Sequence, residues 1–202
     1  YHAGDKPTME KTVRISKENS VSIGAHPSFN DPENFGRKRL NLPSGEISKL
    51  IIDQINILSN IASVSGIEVT HIKPHGALNN MACEDYELAK IISESIIQVN
   101  KDLIFLVPTG SQMEKAGKKL GMKIATEIFA DRNYEDDGNL VSRSKDNAMI
   151  TDPEIAKEHV IKMVKNQTLN CYSGKQIPCK IDSICVHGDG KSAVNTAKEI
   201  KG

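Results

Sequence analysis

Apolar runs of strand length alternate with amphipathic runs of helix length along almost the whole chain. The apolar spacing predicts helices over 7–17, 44–64, 84–99, 112–120, 152–165 and 192–200. Between them, short apolar runs predict strands over 21–24, 67–72, 103–107, 122–129 and 183–186. Strands that are separated by helices usually pair in parallel. The order therefore predicts an α/β fold with a mainly parallel sheet and helices outside it.

Most of the predicted strands run directly into a sharp turn that carries a histidine or an aspartate. Four turns contain a histidine, in the segments YHAGD (1–5), IGAHPS (23–28), IKPHGA (72–77) and VHGD (186–189). A related turn, ADR (130–132), ends another apolar run. Because the carboxyl ends of parallel strands gather on the face where ligands bind, we expect these polar side chains to share a pocket.

Composition limits the classes of protein that the chain can belong to. Of its 202 residues, 38% are hydrophobic and 26% charged, which predicts one globular domain over 1–202. Lys+Arg and Asp+Glu both number 26, so no excess charge favours nucleic acid or an anionic membrane as a partner. No apolar run approaches the about 20 residues that span a bilayer. The four cysteines lack metal-binding spacing and are expected to be reduced thiols.

The turn after the second predicted strand carries the strongest chemical signal. Lys73 and His75 flank Pro74, which cannot donate to a strand ladder and so indicates the end of the strand. A lysine placed there can stabilise developing negative charge, and a histidine can transfer protons near neutral pH. The alternative is an ordinary surface turn, but two polar side chains around a proline favour a functional role.

The first two turns offer further candidates. His26 and Ser28 flank Pro27, and His2 and Asp5 lie close together in the first turn. Each has a simpler interpretation. His26 and Ser28 could cap the start of a loop, and Asp5 could cap the helix predicted over 7–17. Their shared position after strands favours a common pocket over these separate roles.

Asp131 and Arg132 follow the strand predicted over 122–129. They could form a structural ion pair, or they could act as a carboxylate and an anion-binding group. Arg37 is a further candidate for binding a carboxylate or phosphate.

His187 and Asp189 follow the last predicted strand and are the catalytic candidates of that turn. The adjoining GKS (190–192) resembles the end of a phosphate-binding P-loop. The full motif requires glycine where Cys185 stands, so the match is incomplete.

Metal binding is a competing use of the same polar groups. No HxH or HExxH spacing supports it, and the identity of any metal stays open. The possible ligands for Zn, Mn or Mg are His2, Asp5, His26, His75, Asp131, His187 and Asp189.

In this order, the segments YHAGD, IGAHPSF, NFGRKR, HIKPHGAL, EIFADRNYEDDGNLVSR and CVHGD resemble the LamB/YcsF family over nearly the whole chain. The resemblance implies an irregular β/α barrel related to the glycoside hydrolase/deacetylase barrels. It also implies hydrolysis of the lactam of 5-oxo-L-proline to L-glutamate, coupled to ATP cleavage. ATP with Mg²⁺ as co-substrate, 5-oxoprolinase subunits B and C as partners, and a cytoplasmic location follow from the same resemblance.

The chain departs from the family pattern in three places. A strand of the form DLNxDxGE does not precede HAGD, so we expect the barrel domain over 1–202 to lack its N-terminal first strand and to expose two edges. Asn79 stands where the family usually has tyrosine. The GKS segment also differs from the usual residues after HGD.

The residues and the resemblance together give hypothetical roles. ATP could phosphorylate the amide oxygen, after which the site needs a base for water, a cation for the oxyanion and an anchor for the substrate carboxylate. We assign His75 or His187 as base, Asp131 and Asp5 as orienting groups, Lys73 for negative charge, Arg132 or Arg37 as anion anchor, and His2, His26, Ser28 and Asp189 as substrate-binding groups.

Two alternatives stand beside this hypothesis. The first is a metal-dependent deacetylase or amidohydrolase on a related barrel. The second is a non-catalytic subunit that binds the lactam or acts as a scaffold.

Overall fold

The computed structural model describes residues 2–201. Its helices are α1 (Lys6–Glu18), α2 (Ser44–Val64), α3 (Gly76–Glu84), α4 (Tyr86–Val99), α5 (Gln112–Lys119), α6 (Pro153–Asn166) and α7 (Ala193–Lys201). Its strands are β1 (Ile23–Ala25), β2 (Val69–Ile72), β3 (Ile104–Pro108), β4 (Ile124–Phe129), β5 (Thr168–Asn170), β6 (Gln176–Pro178) and β7 (Ser183–Cys185). Within residues 2–201, none of the helices combines the length and the apolar character needed to cross a lipid bilayer.

Five strands form one sheet in the order β1-β2-β3-β4-β7. β1 pairs with β2, β2 with β3, and β4 with β7, each in parallel. The intervening helices provide the crossover connections that parallel pairs require. The predicted α/β class with a mainly parallel sheet is therefore confirmed. β5 and β6 form a separate antiparallel pair.

Contacts within the chain divide it into two compact units. The first comprises the residues up to Leu106 together with Gln112–Ile124. The second comprises Val107–Ser111 together with the residues from Ala125 onward. A single domain over 1–202 stays a prediction.

The core of the first unit lies where α2 packs against α4 and α4 packs against α5. Ile51 and Ile55 of α2 have no solvent exposure, and neither has Ile92 of α4. Ile72 of β2 and Phe105 of β3 are also completely buried. Full burial of one such side chain contributes about 1.5–3 kcal/mol, so these rows of apolar residues fix the helices against the strands.

The core of the second unit forms around β4, α6 and β5. Ile128 and Phe129 of β4 are packed with Met163 of α6 and Leu169 of β5. Tyr134 lies in the same cluster, where its hydroxyl oxygen accepts a hydrogen bond of 2.7 Å from the Phe129 N–H. Burial raises the pKa of the Tyr134 phenol. The loop after β4 is thus anchored to the end of that strand.

The helix predicted over 84–99 corresponds to α4, whereas α3, directly before it, was not predicted from the sequence. Asp85 separates them, and its carboxylate accepts two backbone N–H groups from the first turn of α4. α3 begins at Gly76 and contains two asparagines, all of low helix propensity. Its buried residues Ala77 and Ala82 show that tertiary packing, which local pattern does not reveal, stabilises this helix.

The β5–β6 hairpin is also missing from the sequence prediction. Each strand has three residues, too few for an alternating pattern to appear. The pair is closed by a hydrogen bond of 2.8 Å from Cys171 N–H to Lys175 O, and Leu169 opposite Ile177 is buried in the core. This hairpin is therefore set by long-range burial.

Candidate functional site

The ends of β1 and β2 place two histidines side by side in the first unit. The strands run in parallel, and their backbone ladder continues beyond them. The Lys73 N–H donates to Ala25 O at 3.0 Å, and the His75 N–H donates to Pro27 O at 2.8 Å. Because His26 lies between Ala25 and Pro27, this ladder brings His26 next to His75.

His2 joins this pair, and we name His2, His26 and His75 the histidine cluster. The His2 and His75 rings are stacked, with centroids 3.7 Å apart and planes inclined by 6°. His26 lies edge-on to both, with its ring centroid 5.4 Å from that of His2 and 4.8 Å from that of His75. The structure thus brings together three of the histidines that the sequence assigns to a shared pocket. The fourth, His187, belongs to the second unit.

Two backbone carbonyls determine which nitrogens of the cluster carry hydrogen. His26 Nδ1 lies 2.6 Å from Lys73 O, and His75 Nε2 lies 2.9 Å from Phe35 O. A carbonyl oxygen can only accept, so both nitrogens donate. The hydrogen-bond network therefore assigns neutral His26 as the Nδ1–H tautomer and neutral His75 as the Nε2–H tautomer.

A serine determines the tautomer of His2 in the same way. The buried Ser28 hydroxyl donates to Phe29 O at 2.9 Å, so its oxygen is an acceptor toward His2 Nδ1, also at 2.9 Å. His2 is therefore the Nδ1–H tautomer. Ser28 orients a histidine, and its direct contact with a substrate stays a prediction.

Desolvation and repulsion from neighbouring rings keep His2 and His26 uncharged near neutral pH. Desolvation, followed by repulsion from His75, lowers the pKa of His2 to about 4. The same two causes, in the same order, lower the pKa of His26 to about 3. His26 remains exposed as a residue, but its ring is surrounded by the other two rings and the Lys73 carbonyl. At pH 7 the imidazoles of His2 and His26 are therefore neutral.

Two glycines with positive φ let a loop close over the cluster. At Gly36 (φ +63°) an added Cβ would lie 3.0 Å from His2 Cβ and 3.2 Å from His75 Cδ2. At Gly76 (φ +58°) an added Cβ would collide with the Gly36 carbonyl oxygen. That oxygen accepts a hydrogen bond of 3.0 Å from the Ala77 N–H. Both positions therefore require glycine.

The same loop adds an aromatic ring and a cation. Phe35 lies edge-on to His2 and His75, with ring centroids 5.1 and 5.2 Å apart. The exposed guanidinium of Arg37 lies 4.9 Å from the Phe35 ring centroid. Arg37 is a candidate from the sequence, whereas Phe35 and Gly36 were given no role there. Their adjacency in the Phe-Gly-Arg segment was the available signal.

Lys73 and Asp5 have different surroundings. Lys73 is partly buried at the end of β2, where its charge helps to lower the pKa values of His26 and His71. Asp5 is exposed and caps α1, since its carboxylate accepts the Thr8 N–H at 2.9 Å. Hydrogen bonds from Thr8 in this cap lower the pKa of Asp5. A catalytic role of Asp5 stays a prediction.

A cavity of about 410 Å³ adjoins the cluster within the first unit. His2 and His26 contribute to its wall, together with Met9 and Val13 of α1 and Gln54 of α2. Its size is that of a small-molecule site, and its wall is mostly apolar with few polar groups.

The second unit contains a histidine–aspartate pair. Asp131 follows β4 and His187 follows β7, and the parallel ladder continues through a bond of 2.9 Å from Ala130 N–H to Cys185 O. His187 Nδ1 lies 2.8 and 2.9 Å from the two carboxylate oxygens of Asp131. Nδ1 therefore donates, and Nε2 remains the acceptor in the neutral ring. The Phe129 ring is stacked on His187 at 5.6 Å.

Arg132 and Asp189 flank this pair in sequence. The buried Arg132 guanidinium donates to Val141 O at 2.6 Å and to Ala148 O at 3.2 Å, which holds the loop after β4. These hydrogen bonds give Arg132 a structural role. Its partners are backbone carbonyls and not the carboxylate of the ion pair that the sequence suggested. Asp189 lies exposed two residues after His187. A contact of either residue with substrate stays a prediction.

A parallel α/β fold with histidines and an aspartate directly after its strands defines a class of ligand-binding or catalytic proteins. Within that class, the profile of the LamB/YcsF family matches residues 1–202. The chain belongs to the LamB/YcsF family.

Curated relatives are similar over the full chain. It is 48% identical over 201 residues to a protein of Clostridium beijerinckii and 43% identical over 202 residues to one of Rhodopseudomonas palustris, each named as the A subunit of 5-oxoprolinase. These alignments cover 100% of this chain and 79% and 80% of the relatives, respectively.

A solved structure shows the same fold. The crystal structure of a lactam utilization protein from Thermus thermophilus matches with a TM-score of 0.91 and 31% sequence identity. The match covers 100% of this chain and 80% of that one. The fold class that the resemblance implies is thereby confirmed.

Proposed function

We infer that this protein is the A subunit of an ATP-dependent 5-oxoprolinase, which hydrolyses the lactam of 5-oxo-L-proline to L-glutamate with cleavage of ATP. The similarity over the full chain to proteins that carry this subunit name carries the inference. That name supports a multi-subunit enzyme, for which we propose subunits B and C as partners and ATP with Mg²⁺ as co-substrate. The four cysteines are thiols, which supports a reducing compartment such as the cytoplasm.

Of the two histidines proposed as base, His187 has the better geometry. Its Nδ1–H is held by the Asp131 carboxylate, so Nε2 can accept a proton from water while the carboxylate stabilises the resulting imidazolium. The ring nitrogens of His75 lie instead at hydrogen-bonding distance from the Phe35 carbonyl oxygen and from His26 Nε2. Neither of these partners carries a full negative charge. We therefore assign proton transfer to His187 and its orientation to Asp131.

Positive charge beside the histidine cluster suits an anionic substrate. Arg37 presents an exposed guanidinium, and Lys73 lies near His26. The substrate carries a carboxylate, and negative charge grows on the phosphate group as it leaves the activated lactam carbon. We assign carboxylate binding to Arg37 and stabilisation of developing charge to Lys73.

In this proposal, the partner subunits contribute to the binding and cleavage of ATP. The P-loop-like segment GKS at 190–192 has Cys185 in place of the required glycine. Residues 1–202 therefore contain no complete Gly-rich loop of the kind that wraps ATP phosphates in P-loop enzymes.

The test is turnover of the reconstituted enzyme. The chain is combined with subunits B and C, and glutamate and ADP formation are measured with 5-oxo-L-proline and ATP. His187→Gln and Asp131→Asn should each lower kcat by about 10²-fold or more, because a positioned general base contributes about 10²–10⁴-fold. His159→Gln replaces another histidine of the second unit, outside the pair, and should keep wild-type turnover.

Three results would contradict parts of the proposal. Absence of glutamate formation by the wild-type complex would contradict the function. Wild-type turnover of His187→Gln would contradict its role as base. Full turnover of both His187→Gln and Lys73→Ala would indicate that the chain is a non-catalytic scaffold.

A further inference from the structure

The ring of His71 occupies the space that a side chain at position 24 would need. Gly24 of β1 is the register partner of His71 of β2 in the parallel pair. A Cβ added at Gly24 would collide with the Nε2 and Cδ2 atoms of the His71 ring. The φ of Gly24 is not positive, so its backbone conformation does not demand glycine. Position 24 requires glycine because the His71 ring lies across it.

A threonine hydroxyl determines which nitrogen of His71 carries hydrogen. The Thr70 hydroxyl donates to Ile23 O at 3.2 Å, so its oxygen is an acceptor toward His71 Nδ1 at 2.9 Å. Burial, followed by repulsion from Lys73, lowers the pKa of His71, so the ring is neutral at pH 7. Nδ1 therefore donates, and Nε2, at the edge of the ring that lies over Gly24, is the acceptor.

His71 and Lys73 lie on the same face of the extended β2 backbone. The ladder with β1 continues past the end of β2, because the Lys73 N–H donates to Ala25 O at 3.0 Å. Side chains two residues apart in extended backbone point to the same side. The charge of Lys73 also contributes to the lowered pKa of His71. The imidazole thus directly precedes the lysine on the path toward the carboxyl ends of the strands, where ligands bind in folds of this class.

We propose that His71, seated on Gly24, is a positioning residue for Lys73 in the hydrolysis of the lactam. Its ring fills the space on the sheet before the lysine, which keeps the ammonium group extended toward the strand ends and the developing negative charge. Its tautomer presents an acceptor nitrogen, which suits a neighbouring ammonium group that can only donate. This inference rests on the role that the proposed function gives to Lys73.

A double-mutant cycle in the reconstituted enzyme separates positioning of Lys73 from simple packing. His71→Asn keeps a donor at the Nδ1 position but removes the acceptor edge of the ring, and it should lower kcat by about 10–100-fold with KM changed by less than about 3-fold. His71→Gln can place an oxygen near the Nε2 position and should keep kcat within about 3-fold of wild type. In the Lys73→Ala background, His71→Asn should lower kcat by less than about 2-fold, because the lysine is no longer there to be positioned.

Gly24→Ala moves the ring without changing it and should lower kcat as His71→Asn does, with no further loss when the two are combined. If Gly24→Ala does not fold, the cycle with His71→Asn decides the question alone. His159→Asn is the matched control, because burial also lowers the pKa of His159, which lies in the second unit. It should keep wild-type kcat. Wild-type kcat in His71→Asn, or an equal loss with and without Lys73, would overturn the inference and leave His71 as a packing residue.

Nitrogen-15 NMR of the chain alone distinguishes failure of this inference from failure of the proposed function. We expect His71 at pH 7 as the neutral Nδ1–H tautomer, with a pKa that rises in Lys73→Met, which removes the nearby charge, and stays unchanged in Lys73→Arg. An Nε2–H tautomer, or a pKa of His71 that Lys73→Met leaves unchanged, would overturn the inference even if turnover is normal. Absence of glutamate formation by the wild-type complex would contradict the proposed function, whereas the coupling between His71 and Lys73 is measured without substrate.

Discussion

The partner on the second ring nitrogen determines what each histidine of this protein can do. His187 donates to the Asp131 carboxylate, and the proposed proton transfer rests on this geometry. His26 and His75 donate to carbonyls, which fix the tautomer without supplying an opposing full charge. The same residue type therefore has two different hydrogen-bond environments within one chain.

At the residue scale, the geometry around Gly76 predicts a loss of stability when a Cβ is added. Gly76→Ala combines positive φ with a collision against the Gly36 carbonyl oxygen. We expect it to lower the free energy of unfolding by about 1–3 kcal/mol, measured by urea denaturation. Gly45→Ala is the control, since nothing lies within 4 Å of its Cβ position in α2. It should be neutral or up to about 1 kcal/mol more stable, and equal losses in both variants would contradict the argument.

At the scale of elements, parallel strand pairing brings candidate site residues together in each of the two units. The β1–β2 ladder extends past the strands to His26 and His75, and the β4–β7 ladder extends to the residues before Asp131 and His187. Because parallel strands end at the same edge, polar residues far apart in sequence become neighbours. The segment after each strand is then held by contacts back to the strand's end.

The anchor at the end of β4 predicts the effect of removing one hydroxyl. In Tyr134→Phe the Phe129 N–H loses its acceptor inside the core. A buried unsatisfied donor costs about 1–3 kcal/mol, and we expect that loss in the free energy of unfolding. Tyr172→Phe, at a side chain that is 64% exposed, should change it by less than about 0.5 kcal/mol. Similar values for the two variants in urea denaturation would refute the anchoring role.

At the scale of the whole molecule, charge is balanced, with 26 basic and 26 acidic residues. Net charge therefore contributes little to the pH dependence of stability near neutrality, and individual buried groups dominate it. Desolvation lowers the pKa of His71 and of His159, each of which lies outside the histidine cluster and the His187–Asp131 pair.

Whether stability rises or falls with pH depends on which state, folded or unfolded, binds protons at the higher pH. As the pH falls below the unfolded value of 6.5, the unfolded chain protonates these histidines before the folded chain does. Stability should therefore decline from about pH 6.5 downward, measured by urea denaturation in metal-free buffer. The His71→Gln/His159→Gln protein should show a shallower decline. Identical slopes for the two proteins would contradict this assignment.

The α/β class, most helix and strand positions, and the polar residues that follow the strands can be predicted from the amino-acid sequence. These features depend on local periodicity and turn residues, which are readable without partners. α3 and the β5–β6 hairpin escaped prediction because packing, rather than local pattern, stabilises them.

The assembly of the candidate site depends on contacts between distant parts of the chain. His26 meets His75 through a ladder between residues about fifty positions apart, from His75 N–H to Pro27 O. The tautomers follow from carbonyls at Phe35 and Lys73, which no side-chain pattern encodes. For Asp5 and Arg132 the sequence leaves both a structural and a functional role open, and the fold shows that Asp5 caps α1 and Arg132 holds the loop after β4. Residue types supply the chemical groups, but hydrogen-bond partners select their roles, and long-range backbone geometry sets those partners.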